Sequence, residues 1–304
     1  MERYTGYKFR ALGTEIRLIA SGLDGECARK RVAQYEARFS RFLPNSELQQ
    51  LCYADGAEFV ASAEMFEVLS LAGRFWRETD GLFDPLIRPN LEAAGYDRTF
   101  SEVARDGGQT VAAKTRRASF GSVDLDVQRH TVRLPRGATV DLGGIAKSWI
   151  VDRISELLDA NGDHLVDIGG DIVARGAGPD GSAGWPVSVA DPLLPERDLC
   201  LLRLHDQAIA TSTTMKRRWL REGRWLHHII DPRTGGPSES DLLQVSVLAP
   251  TAVEADVYAK TALILGAEAG LPWLRRRELP ALLVTTSGTL ATPRWPAVKQ
   301  QKAS

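Results

Sequence analysis

Apolar residues recur at helical spacing in three stretches of the chain. Residues 25–42 place apolar side chains three and four positions apart, which predicts a helix. A second helix begins at Ser62 and stops near Gly81, where a left-handed cap is expected. A third has its apolar positions between residues 145 and 158 and ends before Gly162. Each predicted helix therefore has one face to bury.

Two further helix starts are marked by capping boxes, in which a hydroxyl residue is followed three positions later by Gln or Glu. Ser46 with Gln49 predicts a short helix. Thr251 with Glu254 predicts a longer helix that reaches about Leu265. The second start matters most, because charged residues follow it within the first turns.

Alternating apolar and polar residues predict short strands through the rest of the chain. Residues 7–20 predict a strand pair broken at Gly13, and residues 123–134 predict a pair around the turn at residues 129–130. Val140 and Leu142 predict a strand that ends at two glycines. The remaining predicted strands are residues 164–168, 186–190, 200–204, 242–249 and 280–285.

Strands and helices are mixed without a steady β-α-β period, which predicts an α+β fold. No convincing internal repeat or low-complexity linker divides the 304 residues. We therefore expect one domain with two lobes over residues 1–298, followed by a disordered tail at residues 299–304.

Charge and cysteine usage exclude several classes of protein. Lys plus Arg number 38 and Asp plus Glu 39, so the net charge of −1 argues against a nucleic-acid binder, which carries a basic excess. The three cysteines are widely spaced, which is typical of a reducing cytosol rather than a disulfide framework. The first residues lack a signal-peptide pattern, and no apolar run approaches the length of a membrane span. We expect a cytoplasmic protein without membrane insertion.

The segment DLGGIAK, residues 141–147, joins a predicted strand to a predicted helix through two glycines. Free backbone N–H groups and the helix dipole favour a phosphate at such a helix start. The glycines let a ligand approach the backbone, and Lys147 adds a positive charge. A tight strand-to-helix turn with a surface lysine explains the same residues.

Two Asp-Pro segments carry further candidates. In GLFDP, Phe83 could lie on an aromatic ring system and Asp84 could accept a hydrogen bond from a ligand. In HHIIDPRTG, His228 and Asp231 are a polar pair flanked by isoleucines. Chain turns at Asp-Pro, with His228 as a core histidine, explain both segments without a ligand. For GLFDP this simpler explanation is favoured.

Asp256 and Lys260 lie four residues apart on the helix that Thr251 begins, so they share one face. The functional interpretation is a carboxylate ligand for a hard cation, which prefers oxygen donors. An exposed ion pair of little energetic value is the simpler interpretation. The five histidines show no spacing that suggests zinc.

Eight segments together resemble the FAD:protein FMN transferases, the ApbE family once described as thiamine-biosynthesis lipoproteins. They follow the family's order between residues 9 and 266, and so span nearly the whole chain. These segments are FRALGT, FSRFLPNSEL, GLFDP, DLGGIAK, DIGGD, ATS, HHIIDPRTG and the EAD helix that runs to LILG. The combination of DLGGIAK with HIIDPRTG is specific and rarely expected by chance.

The resemblance implies a two-lobed α+β fold with FAD in the cleft between the lobes, as a substrate. The residues implied to contact or line FAD are Leu12, Phe42, Leu82, Phe83, Asp84, Asp141, Lys147, His228 and Ile229. Of these, Leu12 and Phe42 would flank the flavin or adenine, while His228 and Ile229 would lie beside the diphosphate.

The resemblance also implies a Mg²⁺ site. It would consist of the Gly144 carbonyl, the Asp256 carboxylate and the residue four positions later, which is a threonine in the family and Lys260 here. An ammonium at that position predicts weaker Mg²⁺ binding, because like charges repel. The site also differs at Ser148, where the family pattern continues with glycine. After ATS, where the family again has glycine, this chain has Thr213.

The implied reaction transfers FMN to an acceptor flavoprotein. A Ser or Thr hydroxyl of the acceptor would attack the phosphorus on the FMN side of FAD, and AMP would leave. His228 would take the hydroxyl proton and Asp231 would orient the imidazole. Phosphoryl transfer needs positioning and charge neutralisation more than covalent chemistry, which suits these residue types.

Two other functions fit the same residues. An FAD diphosphatase would use water in place of the hydroxyl and release free FMN and AMP. A non-catalytic flavin-binding protein would bind FAD without turnover. The presence of Lys147, His228 and Asp256 favours an enzyme over the binding protein. Many family members are exported lipoproteins, whereas this sequence is expected to be cytoplasmic.

Overall fold

The computed structural model of this chain describes residues 4–103 and 118–296. Helices and strands alternate irregularly through these residues. The strands are β1 (Thr5–Ala11), β2 (Thr14–Ala20), β3 (Phe59–Val60), β4 (Asp124–Asp126), β5 (Thr131–Arg133), β6 (His164–Ile168), β7 (Asp171–Arg175), β8 (Trp185–Ala190), β9 (Asp198–Leu204), β10 (Gln207–Thr213), β11 (Arg218–Arg221), β12 (Arg224–His227), β13 (Leu242–Ala249), β14 (Ala281–Thr285) and β15 (Gly288–Ala291). The α-helices are α1 (Gly25–Phe39), α2 (Glu47–Tyr53), α3 (Ala63–Glu78), α4 (Arg88–Ala93), α5 (Ala146–Leu158) and α6 (Ala252–Arg276).

The chain divides into two compact units, and each is assembled from separate stretches of sequence. The first unit contains the residues up to Val32, Lys147–Met215 and the residues from Ser240 onward. The second contains Ala33–Ala146 and Lys216–Glu239. The single domain expected over residues 1–298 stays a prediction, and the tail expected at residues 299–304 lies outside the described residues.

An eight-stranded antiparallel sheet organises the first unit, in the order β1-β2-β6-β7-β10-β13-β14-β15. The turn between β6 and β7 is Gly169–Gly170, and both glycines have positive φ angles, 68° and 99°. Two consecutive residues in that region make the tight hairpin turn that matches strand twist, and only glycine adopts it without strain.

The two faces of this sheet are covered by different elements. Ile209 on β10 packs with the β8–β9 hairpin in a cluster that also contains Trp185 and Leu202. Its neighbour Ala210 points to the opposite face and packs on Ala255 of α6. Side chains alternate along a strand, so one strand serves both layers. Alanine on the helix side lets α6 lie close to the sheet.

The start of α6 is fixed by two residues. Thr251 accepts a hydrogen bond from the Glu254 N–H at 3.2 Å, which confirms the predicted cap. Asp152 of α5 accepts from the N–H groups of Ala252 and Val253 at 2.8 and 3.1 Å. Burial raises the pKa of Asp152 to about 6, although the two N–H donors act to lower it. The carboxylate is therefore still largely ionised at pH 7. An anion at this helix end is favoured by the dipole.

The far end of α6 differs from the prediction. The expected end near Leu265 corresponds to a break at Gly266, whose φ and ψ of 79° and 172° are not helical. A further helical segment then continues to Arg276, so α6 is two segments joined at a glycine. Only the first segment carries the predicted functional residues.

Helix α3 is the main helix of the second unit, and it buries its predicted face except at Trp76, which is half-buried. Met65, Val68 and Ala72 are fully buried, and Ser62 caps the helix by accepting from the Met65 N–H. The left-handed end lies at Asp80, whose φ is 51°, and continues through Gly81. The Gly81 N–H bonds the Trp76 carbonyl, which is the bond that closes a Schellman end.

Two predicted elements are shorter than expected or absent. The helix expected over residues 25–42 ends at Phe39, because Ser40 accepts the Phe42 N–H and turns the chain. The strand expected to end at Gly143 is not part of any sheet. Its N–H groups bond residues of other segments instead, Val140 to the Cys52 thiol of α2 and Asp141 to the Pro85 carbonyl.

No helix of the described ranges combines the length and apolarity that crossing a membrane requires.

We predict that Asp152→Ala lowers the free energy of unfolding by about 1–3 kcal/mol, because two buried N–H groups at the start of α6 lose their acceptor. Urea denaturation followed by circular dichroism measures this change. Glu156→Ala on the same helix is the control, since its ion pair with Arg153 is solvent-exposed and should contribute little. Equal stability of the two variants would contradict the capping role.

Candidate functional site

The first group of candidate residues surrounds Asp256 in the first turns of α6. Lys260 Nζ lies 3.2 Å from Asp256 Oδ1, and the Ser148 hydroxyl lies 3.3 Å from Asp256 Oδ2. The side chains of Asp256 and Lys260 are only 10% and 18% exposed. The pair is therefore a largely buried one rather than the exposed ion pair of the simpler interpretation.

Lys147 and Asp171 extend this group. Lys147 Nζ lies 3.5 Å from Asp171 Oδ2, an oxygen that no hydrogen-bond donor of the described residues reaches with good geometry. Burial raises the pKa of Asp171 and the Lys147 ammonium opposes that shift, while the charges of Asp256 and Lys260 also act on it. We call Lys147, Asp171, Asp256 and Lys260 the charge quartet.

The charge quartet provides the oxygen ligands that a hard cation prefers, because both acids offer carboxylate oxygens. Among the described residues, Asp171 Oδ2 accepts no hydrogen bond. No three His, Cys, Asp or Glu side chains gather as a metal cluster anywhere in residues 4–103 and 118–296. Two carboxylates and two ammonium groups sum to zero charge. This arrangement fits a Mg²⁺ that takes most of its ligands from substrate phosphates and water.

The second group lies on the HHIIDPRTG segment of the second unit. His228 Nδ1 and the His228 backbone N both lie 3.3 Å from the Arg217 carbonyl oxygen. A carbonyl only accepts, so Nδ1 carries the proton in this contact. Neutral His228 then has its lone pair on Nε2, which is the arrangement of a general base.

His227, the neighbouring histidine, is held differently. Its Nε2 lies 3.0 Å from the Ser238 carbonyl, and its Nδ1 accepts from the Ile229 N–H. Burial lowers the pKa of His227. With one nitrogen donating and the other accepting, His227 is a neutral structural residue that supports the backbone beside His228.

Asp231 makes the turn that the Asp-Pro sequence predicts. Its carboxylate pairs with Arg233 through both oxygens and accepts the Arg233 N–H at 2.8 Å. Its backbone carbonyl accepts from Gly235. The Arg217 carbonyl accepts from His228 Nδ1 and so orients the ring at this nitrogen, while the predicted role of Asp231 in orienting the ring stays a prediction.

Asp141 and Phe42 meet at Arg41, a residue that the sequence analysis did not single out. Arg41 Nε lies 2.7 Å from Asp141 Oδ2, and the Gly143 N–H donates to Asp141 Oδ1. The guanidinium lies 4.4 Å from the Phe42 ring and 4.6 Å from the Tyr96 ring. Arg41 thereby fixes the two candidates relative to one another.

The GLFDP residues are more deeply buried than open ligand contacts would be. Phe83 packs edge to face on Phe75, with ring centroids 6.4 Å apart. Asp84 caps a short 3₁₀ helix through the Leu86 N–H and also accepts from Phe120. Leu82, like Phe83 and Asp84, is less than 10% exposed. These contacts match the Asp-Pro turn that was the simpler interpretation.

Three other candidates have distinct surroundings. Leu12 lies in the turn between β1 and β2 with a φ of 54°, which is uncommon for a bulky residue. Gly144 lies in the turn that precedes α5, as the phosphate-loop interpretation requires. Ile229 is buried, and its carbonyl accepts from Ser238.

The sequence from residue 12 to residue 283 matches the ApbE family. The chain belongs to the ApbE family. One relative, the FAD:protein FMN transferase of Treponema pallidum (strain Nichols), is 32% identical over 247 residues, which cover 75% of this chain and 67% of that protein. The FAD:protein FMN transferase of Klebsiella pneumoniae (strain 342) is 26% identical over 293 residues, covering 92% of this chain and 83% of the relative.

Solved structures agree with the ApbE assignment at the level of fold. An ApbE protein from Thermotoga maritima superposes with a TM-score of 0.86 at 23% identity, covering 95% of this chain and 97% of that one. The apo form of the flavinyl transferase ApbE from Pseudomonas stutzeri superposes with a TM-score of 0.81 at 21% identity, covering 95% of each chain. The α+β fold expected from the sequence is confirmed.

Both departures from the ApbE pattern near the expected metal site contact the same carboxylate. Ser148 approaches one oxygen of Asp256 and Lys260 approaches the other. A hydroxyl and an ammonium thus occupy both oxygens of the carboxylate.

We predict that Arg41→Ala lowers the free energy of unfolding by about 3–5 kcal/mol, because it leaves the buried Asp141 carboxylate unpaired. Urea denaturation without FAD measures the change. The double variant Arg41→Ala/Asp141→Ala should be less destabilised than the sum of the two single variants. Arg129→Ala, which removes an exposed ion pair with Glu58, is the control. Strict additivity would show that the pair is not coupled.

Proposed function

We propose that this chain is a Mg²⁺-dependent FAD:protein FMN transferase, which joins FMN through a phosphoester to a Ser or Thr hydroxyl of an acceptor flavoprotein and releases AMP. Membership of the ApbE family over residues 12–283 carries the proposal, because its relatives are named FAD:protein FMN transferases. The charge quartet and the proton arrangement of His228 support the same chemistry.

In the proposed reaction the acceptor oxygen forms a bond to the FMN-side phosphorus, and the bond from that phosphorus to the oxygen of the AMP phosphate breaks. His228 Nε2 takes the hydroxyl proton, while Nδ1 keeps its proton on the Arg217 carbonyl. A fixed Nδ1–H keeps the ring in the tautomer that can accept at Nε2. General base catalysis therefore requires no further rearrangement of the imidazole.

Lys147 and Lys260 balance negative charge on the FAD diphosphate in this proposal. Asp171 and Asp256 hold the two ammonium groups in place at 3.5 and 3.2 Å. When bound, Mg²⁺ supplies further neutralisation of the phosphates, and the Asp256 carboxylate would hold it. The proposed role of the Gly144 carbonyl as a second ligand stays a prediction.

The flavin contacts that we propose follow the family positions. Leu12 and Phe42 would flank the rings, and Asp141 would contact FAD from its position on Arg41. Ile229 would lie beside the diphosphate.

We also propose a reducing compartment, the cytoplasm, because Cys27, Cys52 and Cys200 are all free thiols.

We predict that His228→Ala lowers FMN transfer by roughly 10²–10⁴-fold, the usual effect of losing a general base. Asp256→Asn should lower it through loss of a charged oxygen ligand. The assay incubates FAD and Mg²⁺ with and without candidate acceptor proteins. It follows covalent flavin by in-gel fluorescence and free FMN by chromatography. His205→Ala and Asp159→Asn, both exposed, are the matched controls.

The products separate the proposal from its alternatives. Covalent flavin on an acceptor supports the transferase. Free FMN and AMP with every acceptor tested would indicate an FAD diphosphatase, and unchanged FAD would indicate a binding protein. Near-native turnover by His228→Ala with an unchanged melting curve would disprove its role as base.

We predict that Lys260→Thr lowers the Mg²⁺ concentration at which FAD turnover is half-maximal. The reason is that the ammonium 3.2 Å from Asp256 repels a metal at the same carboxylate. The measurement is a Mg²⁺ titration at fixed ionic strength, with Lys30→Thr on the exposed face of α1 as the control. An unchanged value would place the Lys260 charge outside the metal's influence, and a higher value would mean that Lys260 assists metal binding.

A further inference from the structure

The hairpin β11–β12 concentrates positive charge in a chain whose net charge is −1. Residues 216–224 contain five Lys or Arg and one acidic residue. The turn at Glu222–Gly223 has φ angles of 49° and 72°, which makes a tight two-residue hairpin. Arg218, Arg221 and Arg224 therefore lie on a short, regular element, and Lys216 and Arg217 directly precede it.

One face of the hairpin is anchored to the second unit. Trp219 is buried in a cluster with Leu91 and Tyr96, and Leu226 packs against the same cluster. The Trp219 indole N–H donates to the Ala94 carbonyl at 3.0 Å. Trp219 and Leu226 are cross-strand partners, so they lie on the same face.

The opposite face carries Arg218, Leu220 and Trp225, and we call it the Trp225 face. Leu220 and Trp225 are direct cross-strand partners, and the Arg218 guanidinium lies 4.7 Å from the Trp225 ring centre. Trp225 is 57% exposed. A solvated hairpin needs no tryptophan, whereas an exposed tryptophan with a stacked arginine is the composition of binding hot spots.

The Trp225 face lies next to the proposed general base. Arg218 pairs with His227 across the hairpin. The carbonyl of the preceding residue, Arg217, accepts from the backbone N–H and the ring Nδ1–H of His228. A polypeptide seated on this face would place neighbouring residues close to His228. An occupant of this face would therefore lie near the proposed general base and not at a distant surface.

We infer that the Trp225 face docks an acidic segment of the acceptor protein, close in sequence to the hydroxyl that receives FMN. The inference rests on the proposed function. An acidic residue of the segment would meet Arg218, and an apolar side chain would lie on Trp225 and Leu220. Arg221 and Arg224 are cross-strand partners on the Trp219 face, so they add to the positive charge around the hairpin without lying on the Trp225 face. Charge complementarity of this kind sets specificity and association rate.

The test uses labelled 15-residue peptides with one central Thr, flanked by Asp and Glu, by Gln or by Lys. Fluorescence anisotropy without FAD measures their dissociation constants at low and high salt. The acidic peptide should bind roughly tenfold more tightly than the neutral one and lose affinity in salt. The lysine peptide should bind most weakly. No measurable binding of the acidic peptide, or equal affinity for the acidic and neutral peptides, would overturn the inference.

Two variants and two matched controls locate the binding surface. Arg218→Glu and Trp225→Ala should each weaken the acidic peptide by roughly tenfold, as hot-spot residues do. Arg129→Glu and Tyr53→Ala alter an exposed arginine and a 70% exposed aromatic elsewhere in the same unit, and should leave affinity within about twofold. Equal effects of the variants and controls would contradict docking on the Trp225 face.

Oligo(dT) of the same length tests the competing occupant, a nucleic acid. If it binds as tightly as the acidic peptide and loses affinity in the same two variants, the face is a general polyanion surface and the inference fails. FMN transfer and FAD hydrolysis are measured separately. Arg218→Glu and Trp225→Ala should leave FAD hydrolysis unchanged. Binding without any transfer would reject the proposed function alone, and transfer without charge preference would reject docking alone.

Discussion

The close packing of α6 on the eight-stranded sheet determines where the charges of the first unit lie. Ala210 and Ala255 are small side chains, so α6 lies close to the sheet. Asp152 fixes the helix start by accepting from two backbone N–H groups. Asp256 is thereby held one turn from a capped, positive helix end, where a carboxylate is favoured. Lys260 follows one turn later on the same face. The charge quartet is thus a consequence of helix position as much as of residue identity.

Local signals in the sequence predicted much of the fold because they depend on neighbouring residues alone. The caps at Ser62 and Thr251 hold as expected. Ser46 also accepts from Gln49, but the Gln49 side chain reaches the Arg41 carbonyl instead of closing a reciprocal box. The strands that were missed, such as β7 and β10, are largely buried on both faces, so their residues do not alternate between apolar and polar. Without that alternation, periodicity does not separate such a strand from other apolar segments.

The two Gly-Gly pairs have the same sequence but different structures, so the dipeptide alone does not predict its structure. At residues 169–170 the glycines form a hairpin turn, whereas at residues 143–144 they precede a helix. The dipeptide is the same, but a sheet strand precedes and follows the first pair, whereas a loop precedes the second and a helix follows it. The candidate site shows the same limit, since Lys147, Asp256 and His228 were predicted from motifs. Asp171 and Arg41 were not, because their importance arises from partners far along the chain.

The order of the sheet has a consequence for synthesis of the protein. Ala20 at the end of β2 pairs with His164 of β6, so the first hairpin leaves the ribosome more than 140 residues before its neighbour. The sheet gains its last three strands only when β13, β14 and β15 emerge, long after β2. Until then the nascent chain exposes an unpaired strand edge and the apolar face that α6 later covers. We therefore expect slow folding of the first unit, because these strand pairings join distant residues, and we expect the unpaired edge to need protection until they form.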